Sequence, residues 1–374
     1  MHILIAPDSF KGSLSATEVA NTIASVIQKK IPGAQITAIP FSDGGEGALD
    51  FLQQNFKGEL HWVATQNAAQ TPIKAPYYRM KSKAWIELSQ AAGLAQLNKK
   101  AQNPCDTSTY GVGLLLEHAL NHGVNEIYLG IGGSATHDLG IGIFCALGGK
   151  AMDINRQAFL PTGGTLDKIT SLDDSNLHPR LAEATLQIVC DVSNPLIGKN
   201  GAAQVFARQK GADDQTIKKL ENNSIHLGRL FESHCRKPIM NVPKTGAAGG
   251  TAAGMKALLK AKLSSGFDTF YEWAQMDKLM GQVDLLITGE GCLDTQSTNG
   301  KVPISLAQKA KEKGIPCMAV CGQILLNATD LKRNGIVYAQ ALTEKSQSLK
   351  DAQQNATKWL VLATESLLQN YIKQ

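Results

Sequence analysis

Short apolar runs alternate with amphipathic stretches along much of the chain, which is typical of parallel α/β folds. Residues 3–6 and 35–39 are apolar enough to form two strands, and a helical pattern lies between them. Ser15 and Glu18 have the spacing of a capping box at the start of that helix. The pattern therefore predicts a βαβ unit with two parallel strands.

Further apolar runs have the character of buried parallel strands, and helical patterns separate them. These runs cover residues 126–131, 283–288, 316–320 and 336–341. Amphipathic helices are predicted at residues 302–313 and 349–372. Together these elements predict one Rossmann-like, doubly wound, mainly parallel sheet.

A second architecture is predicted where the alternation breaks down. Residues 59–88 contain three strand-like runs without a helix between them, which favours antiparallel pairing. We therefore expect a second, inserted α/β domain with a mixed sheet, and an active site in the cleft between the two domains. The predicted boundaries are residues 1–58, 108–147 and 277–374 for the first domain, and residues 59–107 and 148–276 for the second.

Composition narrows the classes of partner. The 374 residues carry a formal net charge of +5 without a basic block, so we expect no nucleic-acid partner. No apolar run reaches the roughly 18 to 20 residues of a spanning helix, and the first residues lack a cationic leader, so we expect a cytoplasmic protein without membrane association. The seven cysteines include no CxxC pair, which disfavours disulfides and zinc ribbons. A small molecule is therefore the class of partner that the composition leaves.

Polar turns after predicted strands are the candidate sites, because ligands bind beyond the carboxyl ends of strands in open α/β sheets. Asp8, Ser9 and Lys11 follow the first strand at a helix start, where they could bind an anion or simply cap the helix. The segment 42–47 contains two acids, Asp43 and Glu46, and three glycines, of which Gly44 and Gly45 are adjacent. It could hold Mg²⁺ or form an ordinary Asp-Gly turn.

The glycine-rich turn after residues 126–131 has two interpretations. Its exposed amides and hydroxyls could cradle an anion, through Gly132, Gly133, Ser134 and Thr136. The same turn matches the GxGxxA form of a dinucleotide site, with Asp153 at the spacing of a ribose ligand. An NAD-dependent oxidoreductase is therefore an alternative, although residues 148–152 are a poor second strand.

Two later loops carry further candidates. Asp191 and Asn194 lie in a turn restricted by Pro195, where a fixed carboxylate could act as a base or cap the loop. The stretch 288–301 packs acids and a lysine among glycines and could bind a phosphate group, but it is not a Walker A loop. Its candidate residues are Gly289, Glu290, Asp294, Gln296 and Lys301.

Two other patterns are interpreted as structural. The 246–250 glycine segment favours close packing. His118 and His122 lack the HExxH order, and we expect them on an ordinary helix face rather than at a zinc ion.

Six ordered motifs resemble those of the class I glycerate kinases of bacteria, over nearly the entire chain. They are APDSFKG at 6–12, SDGGEG at 42–47, IGGSAT at 131–136, CDV with NPL at 190–196, GAAGG at 246–250, and TGEG with a following Asp and GK at 288–301. The resemblance implies a Rossmann-like domain, a second α/β domain and an active site between them. It also implies phosphorylation of D-glycerate with ATP and Mg²⁺, to 2-phosphoglycerate in the bacterial branch. His137, Leu139, Ala48 and Ser297 depart from the usual motif residues.

These considerations give a residue-level hypothesis. Asp191 accepts the glycerate hydroxyl proton, and Lys11 and Lys301 contact phosphate or carboxylate. Asp43, Glu290 and Asp294 are the predicted metal ligands. The predicted substrate and nucleotide contacts are Asp8, Ser9, Gly44, Gly45, Gly132, Gly133, Ser134, Thr136, Asn194, Gly289 and Gln296. The protein is expected to be a monomer or a homodimer. Phosphorylation at the 3-hydroxyl, the oxidoreductase and a non-catalytic protein that binds hydroxy acids stay open.

Overall fold

The computed structural model describes residues 1–42, 44, 47–295, 297 and 300–372. The strands are β1 His2–Ile5, β2 Gln35–Ala38, β3 Glu59–Gln66, β4 Pro72–Met80, β5 Lys83–Glu87, β6 Glu126–Gly130, β7 Lys150–Met152, β8 Ala158–Phe159, β9 Ser171–Asp173, β10 Thr185–Val189, β11 Lys262–Ser264, β12 Leu285–Thr288, β13 Cys292–Leu293, β14 Cys317–Cys321, β15 Gln323–Ile324 and β16 Ile336–Ala341. The α-helices are α1 Ala16–Lys30, α2 Ala48–Asn55, α3 Ser89–Ala92, α4 Tyr110–Asn121, α5 Ile141–Ala146, α6 Ala202–Phe206, α7 Asp214–Cys235, α8 Ala247–Leu258, α9 Gly266–Trp273, α10 Met276–Met280, α11 Val302–Glu312, α12 Ala328–Arg333, α13 Leu349–Gln354 and α14 Ala356–Ile372.

The chain divides into two compact units. Unit 1 comprises Met1–Asn55 and Gly266–Gln374, and unit 2 comprises Phe56–Ser265. Unit 2 is therefore inserted into unit 1, as the sequence predicts. The mixed α/β class with a parallel sheet and a second, mixed sheet is confirmed.

Unit 1 is built on a five-stranded parallel sheet in the order β16-β14-β12-β1-β2. Helix α1 has the predicted capping box: Ser15 N donates to Glu18 Oε2 at 2.8 Å, and Glu18 N donates to Ser15 Oγ at 3.2 Å. Its apolar face packs in the same core as the buried side of the sheet, which includes Ile3, Ile5 and Ile287. The strand order reverses between β1 and β12, and their carboxyl ends lie side by side.

Unit 2 is built on a six-stranded mixed sheet in the order β11-β10-β6-β5-β4-β3. The pairs β3/β4 and β4/β5 are antiparallel, as predicted, whereas β5, β6, β10 and β11 run parallel. A separate antiparallel sheet has the order β8-β7-β9. The apolar side of the large sheet packs with α4 in one buried core.

The boundaries differ from the predicted ones in three segments, the shortest of which is residues 56–58, predicted in the first domain but found in unit 2. Residues 108–147 were predicted to join the Rossmann-like domain, but β6 pairs with β5 and β10 along its whole length and therefore belongs to unit 2. Residues 266–276 were predicted in the second domain and lie in unit 1. The predicted single helix at 349–372 is divided at Asn355 into α13 and α14.

Two global expectations can be compared with the structure. All seven cysteines lie in the described ranges, and each is a free thiol. None of the helices in those ranges combines the length and apolar character that a membrane crossing requires.

Candidate active site

A cavity of about 320 Å³ lies at the carboxyl ends of β1 and β12 in unit 1. This is the point where the strand order of the sheet reverses, which is the usual ligand position in an open α/β sheet. Its polar lining includes Asp8, Ser9, Lys11, Glu290 and Lys301. The cavity thus gathers five of the predicted site residues from loops almost 300 positions apart in the chain.

Main-chain hydrogen bonds fix the two loops that line the polar side of this cavity. Asp8 N donates to Gly289 O at 2.8 Å, and Thr288 Oγ1 donates to Ala6 O at 2.8 Å. A Cβ atom on Gly289 would lie 2.0 Å from Val320 O, so only glycine allows this approach. The loop after β12 is therefore held directly beside the loop after β1.

Two buried oxygen atoms in the cavity wall have no hydrogen-bond partner among the residues that the structure describes. They are Ser9 Oγ and Glu290 Oε1. A buried polar atom without a partner costs free energy, typically 1–3 kcal/mol, so native proteins leave few of them. Both atoms belong to cavity-lining residues, which is the pattern expected where a ligand supplies the missing contact.

Glu290 and Lys301 form an ion pair at the cavity, with Lys301 Nζ 3.3 Å from Glu290 Oε2. Burial raises the pKa of Glu290, whereas the Ser297 hydroxyl and Lys301 oppose this rise. Burial alone would lower the pKa of Lys301, but the charge and hydrogen bond of Glu290, together with the charges of Asp294 and Cys292, outweigh burial and the pKa is raised. Lys301, the N-cap residue of α11, is therefore positively charged, and Glu290 rather than the helix dipole stabilises that charge.

The remaining unit 1 predictions have different outcomes. Asp294 lies in a turn in which its Oδ1 accepts a hydrogen bond from Ser297 N at 3.1 Å. Gly44 adopts a positive φ of 85°, and its N–H donates to Ser42 Oγ. The predicted residues Asp43, Gly45 and Gln296 lie outside the described residues. Among the described residues, no three His, Cys, Asp or Glu side chains come close enough together to hold a metal ion.

Sequence reasoning missed part of the cavity wall. Its apolar side comes from Phe10, Leu342 and the α13 residues Leu349 and Ala352. The periodicity of the C-terminal helix predicts packing but does not indicate which side chains meet a ligand. These apolar residues therefore had no distinguishing local signal.

Unit 2 brings the other two predicted loops together. The loop after β6 and the loop after β10 follow neighbouring parallel strands, in which Gly130 pairs with Val189. Gly132 and Gly133 are exposed at the first loop, and Asp191 is exposed at the second. Both loops thus follow neighbouring strands of one sheet, whereas the predicted boundaries assign them to different domains.

Ser134 and Thr136 are largely internal to their loop. Their hydroxyl oxygens lie 3.0 Å apart, and Thr136 is fully buried. Thr136 O accepts a hydrogen bond of 2.6 Å from Lys210 Nζ. The solvent-facing part of this loop is therefore its pair of glycines.

The loop after β10 is tied to the glycine segment at 246–250. Gly246 N donates to Asn194 O at 3.0 Å, and a Cβ atom on Gly246 would lie 2.1 Å from Pro195 O. Asn194 Nδ2 donates to Asn200 O at 2.8 Å. The close packing predicted for this segment is confirmed, and its partner is the loop that carries Asp191.

Lys244 and Lys210 are unit 2 residues that the sequence did not single out. Lys244 Nζ donates to Cys190 O at 3.1 Å, directly before Asp191. Lys210 is almost completely buried beneath Thr136. Both lysines lie in polar stretches, where nothing in the local sequence indicates burial or proximity to another loop.

The dinucleotide interpretation of the Gly130 to Ala135 turn fails in this fold. A dinucleotide-binding βαβ unit requires the next strand to lie parallel in the same sheet. Here β7 lies in a different sheet and pairs antiparallel with β8 and β9. Asp153 accepts hydrogen bonds within its own turn, from Asn155 N and Gln157 N.

Comparisons with known proteins identify a family for this chain. The model of the glycerate kinase family matches residues 3–371. The chain is 38% identical to a glycerate kinase from Halalkalibacterium halodurans, over 98% of this chain and 97% of that protein. It is 37% identical to the glycerate 2-kinase of Escherichia coli, over 90% of this chain and 89% of that protein.

A solved structure gives the same result for the fold. The crystal structure of a glycerate kinase 2 from Salmonella typhimurium LT2 superposes with a TM-score of 0.87 at 33% identity, and the match covers 100% of this chain and 99% of that one. The fold, the ordered loops and these relatives agree, and the chain belongs to the glycerate kinase family, a family of kinases.

Proposed function

We propose that this protein transfers the γ-phosphoryl group of ATP to the 2-hydroxyl of D-glycerate, with Mg²⁺, and forms 2-phosphoglycerate and ADP. The observation that carries the proposal is the unit 1 cavity at the carboxyl ends of β1 and β12. It is lined by two lysines and by two buried oxygens that have no hydrogen-bond partner in the described part of the chain. The family supports kinase chemistry, and the similarity to the protein named glycerate 2-kinase supports the 2-phospho product.

Unit 1 is proposed to bind the phosphoryl donor. Its cavity volume of about 320 Å³ lies within the ~300–1,000 Å³ range of small-molecule and cofactor sites. The apolar side formed by Phe10, Leu342 and Leu349 suits a base, whereas Lys11 and Lys301 suit phosphate oxygens. Positive side chains of this kind stabilise the charge on a moving phosphoryl group.

Unit 2 is proposed to bind the acceptor. The exposed amides of Gly132 and Gly133 suit an anionic oxygen group, and Asp191 is exposed beside them at the same sheet edge. In the proposed step, Asp191 takes the proton of the glycerate hydroxyl while the hydroxyl oxygen forms a bond to the γ-phosphorus. The bond from that phosphorus to the oxygen of ADP breaks, and ADP leaves.

The unit 1 residues fit Mg²⁺ only as a partial ligand set. Mg²⁺ commonly binds one or two carboxylates and completes its shell with water and substrate phosphate oxygens. These oxygens would come from Glu290 and Asp8, and Glu290 Oε1 is buried without a partner among the described residues. Asp43 remains a predicted ligand outside those residues. Asp294 is a weaker candidate because Ser297 engages its carboxylate. When bound, the ion would neutralise charge on the phosphate oxygens.

Phosphorus NMR of the reaction product tests this proposal directly. The purified protein is incubated with ATP, MgCl₂ and D-glycerate, and L-glycerate serves as the matched control. The expected result is ADP with 2-phosphoglycerate as the first product. Formation of 3-phosphoglycerate would reject the regiochemistry alone, whereas no phosphorylated glycerate would reject the proposed activity.

A further inference from the structure

Lys210 is a buried lysine that the proposed chemistry does not use. Its residue is 2% exposed, and its ammonium donates a hydrogen bond of 2.6 Å to Thr136 O. Removing an ammonium group from water is costly unless other groups compensate it. A lysine at this position therefore needs a reason beyond filling space.

The carboxylate that acts electrostatically on Lys210 is that of Asp138, which is fully buried. The oxygens of Asp138 are already engaged by donors from other segments. These donors are Thr109 N at 2.7 Å, Thr109 Oγ1 at 2.8 Å, Ser108 Oγ at 3.3 Å, Gly140 N at 3.1 Å and Gly142 N at 3.2 Å. Asp138 thus attracts Lys210 without forming a direct ion pair, and the ammonium remains directed at the Thr136 carbonyl.

The hydrogen bonds of His137 identify a further buried acceptor, on a ring that is influenced by the charge of Lys210. Ser224 Oγ donates to Leu220 O at 2.8 Å, so it accepts the hydrogen of His137 Nε2 at 2.9 Å. His137 Nδ1 is then the unprotonated nitrogen, and it is buried with no hydrogen-bond partner within the described ranges. Burial and, to a smaller extent, the charge of Lys210 together lower the pKa of His137 to about 3, so the ring is neutral.

The Thr136 carbonyl is enclosed from a second direction. A Cβ atom on Gly249 would lie 2.1 Å from Thr136 O, and Leu139 N donates to Gly249 O at 3.2 Å. The segment 248–250 reaches this position only through three consecutive left-handed residues. The base of the glycine loop is therefore clamped between this segment and the ammonium of Lys210.

We propose that Lys210 is a positioning residue, which holds the base of the 132–136 loop so that Gly132 and Gly133 present their amides to an anionic oxygen group of a substrate. The inference rests on the proposed function for the identity of the substrates. The anionic group is either the carboxylate of glycerate or a phosphate of the donor, and separate KM values distinguish the two. The buried positive charge also favours an anion at the loop.

Ionisation provides a readout that a purely structural role would not change. Burial lowers the pKa of Lys210 to about 7, and Asp138 opposes this shift. The titratable groups that face Lys210 among the described residues are Asp138 and the neutral His137. The ammonium is therefore charged below neutral pH and loses its charge as the pH rises through about 7, so anion binding should weaken on the alkaline side.

The test compares Lys210→Met with Lys219→Met, which removes an exposed lysine of α7. KM and kcat are measured for D-glycerate and for ATP from pH 6 to pH 9. In the wild type, the KM of the substrate bound by the loop should rise with pH. In Lys210→Met that KM should be at least about tenfold higher at pH 6 and independent of pH, because a charged hydrogen bond is lost. Lys219→Met should match the wild type.

Lys210→Arg and hydrogen exchange keep the outcome interpretable. Arginine stays charged, so a folded Lys210→Arg variant should restore a low KM without the alkaline rise. Amide exchange of residues 132–138 in the ligand-free protein should be at least about tenfold faster in Lys210→Met than in Lys219→Met. If neither variant folds, the wild type alone decides: KM values that do not change with pH near neutrality overturn the proposal.

Failure of the inference differs from failure of the proposed function. A wild type that phosphorylates glycerate, together with a Lys210→Met variant that keeps both KM values and their pH dependence, overturns the role of Lys210 alone. A wild type without glycerate-dependent ADP formation rejects the proposed function, and the exchange experiment then decides whether Lys210 positions the loop.

Discussion

Lys301 Nζ lies 3.3 Å from Oε2 of Glu290, a carboxylate whose side chain is 7% exposed. The pair lies at the N-cap of α11 and in the wall of the unit 1 cavity. Loss of either partner would change both the charge of the cavity and the cost of burying the other group.

Lys301→Met should lower kcat/KM by about 10² or more, because a cationic group that stabilises phosphoryl charge is removed. It should also lower the free energy of unfolding by about 1–2 kcal/mol, a value below that of a fully buried pair because Lys301 is one-third exposed. Steady-state kinetics and urea unfolding measure the two effects. The double variant Glu290→Gln/Lys301→Met should regain stability without activity. Wild-type turnover of Lys301→Met would remove this residue from the proposed mechanism.

Asp191→Asn should lower kcat by roughly 10² or more, since a general base typically contributes 10²- to 10⁴-fold. Its free energy of unfolding should change by less than about 0.5 kcal/mol because the side chain is exposed. Asp167→Asn, at another exposed aspartate of unit 2, is the matched control and should keep normal turnover. Equal kcat values for the two variants would mean that Asp191 is not the base.

Gly132→Ala and Gly249→Ala should separate ligand approach from folding. A Cβ atom on Gly132 meets nothing within 4 Å, so this variant should stay stable while its KM for the loop-bound substrate rises. A Cβ atom on Gly249 would lie 2.1 Å from Thr136 O at a positive φ of 64°, so this variant should lose about 2 kcal/mol or more of unfolding free energy. Thermal unfolding and KM measurements provide the comparison. A normal KM in Gly132→Ala would argue against close substrate approach there.

His137 should make the protein sensitive to mild acid. Its pKa is about 3 in the folded protein and 6.5 is its ordinary value, so below pH 6.5 the unfolded chain binds a proton that the folded protein does not. The contribution of His137 to the free energy of unfolding is complete above pH 6.5. It falls by up to about 1.4 kcal/mol per pH unit as the pH drops toward 3. Urea unfolding at pH 7, 6 and 5 should show this slope as the difference between the wild type and His137→Asn. If the unfolding free energies of the two proteins change equally with pH, this role of His137 is contradicted.

Much of the fold could be predicted because its signals are local. The capping box at Ser15 and the apolar strand runs depend on nearby residues, and both occur where the sequence places them. The assignment of 126–131 to a sheet could not be derived in this way, because a buried parallel strand looks the same in either unit. Its sheet is determined by the two strands that pair with it, Lys83–Glu87 and Thr185–Val189, which lie about 40 and 60 residues away in the chain.

The candidate site could be predicted in part for the same reason. Glycines, acids and lysines at strand ends identify the loops, and five of these residues line one cavity. Lys210 could not be found from sequence, because its burial results from contacts with a carbonyl 74 positions earlier in the chain. The apolar wall from α13 was equally hidden, since helical periodicity does not distinguish a ligand contact from packing.

The insertion of unit 2 has a consequence for the order of events on the ribosome. Ile3 of β1 pairs with Leu285 of β12, whereas unit 2 is one continuous segment that ends at Ser265. During synthesis, unit 2 is complete before β12 leaves the exit tunnel, so it can fold while β1 can pair only with β2. The nascent amino-terminal segment must then wait with one side of β1 unpaired until β12 arrives, which leaves a strand edge exposed during synthesis.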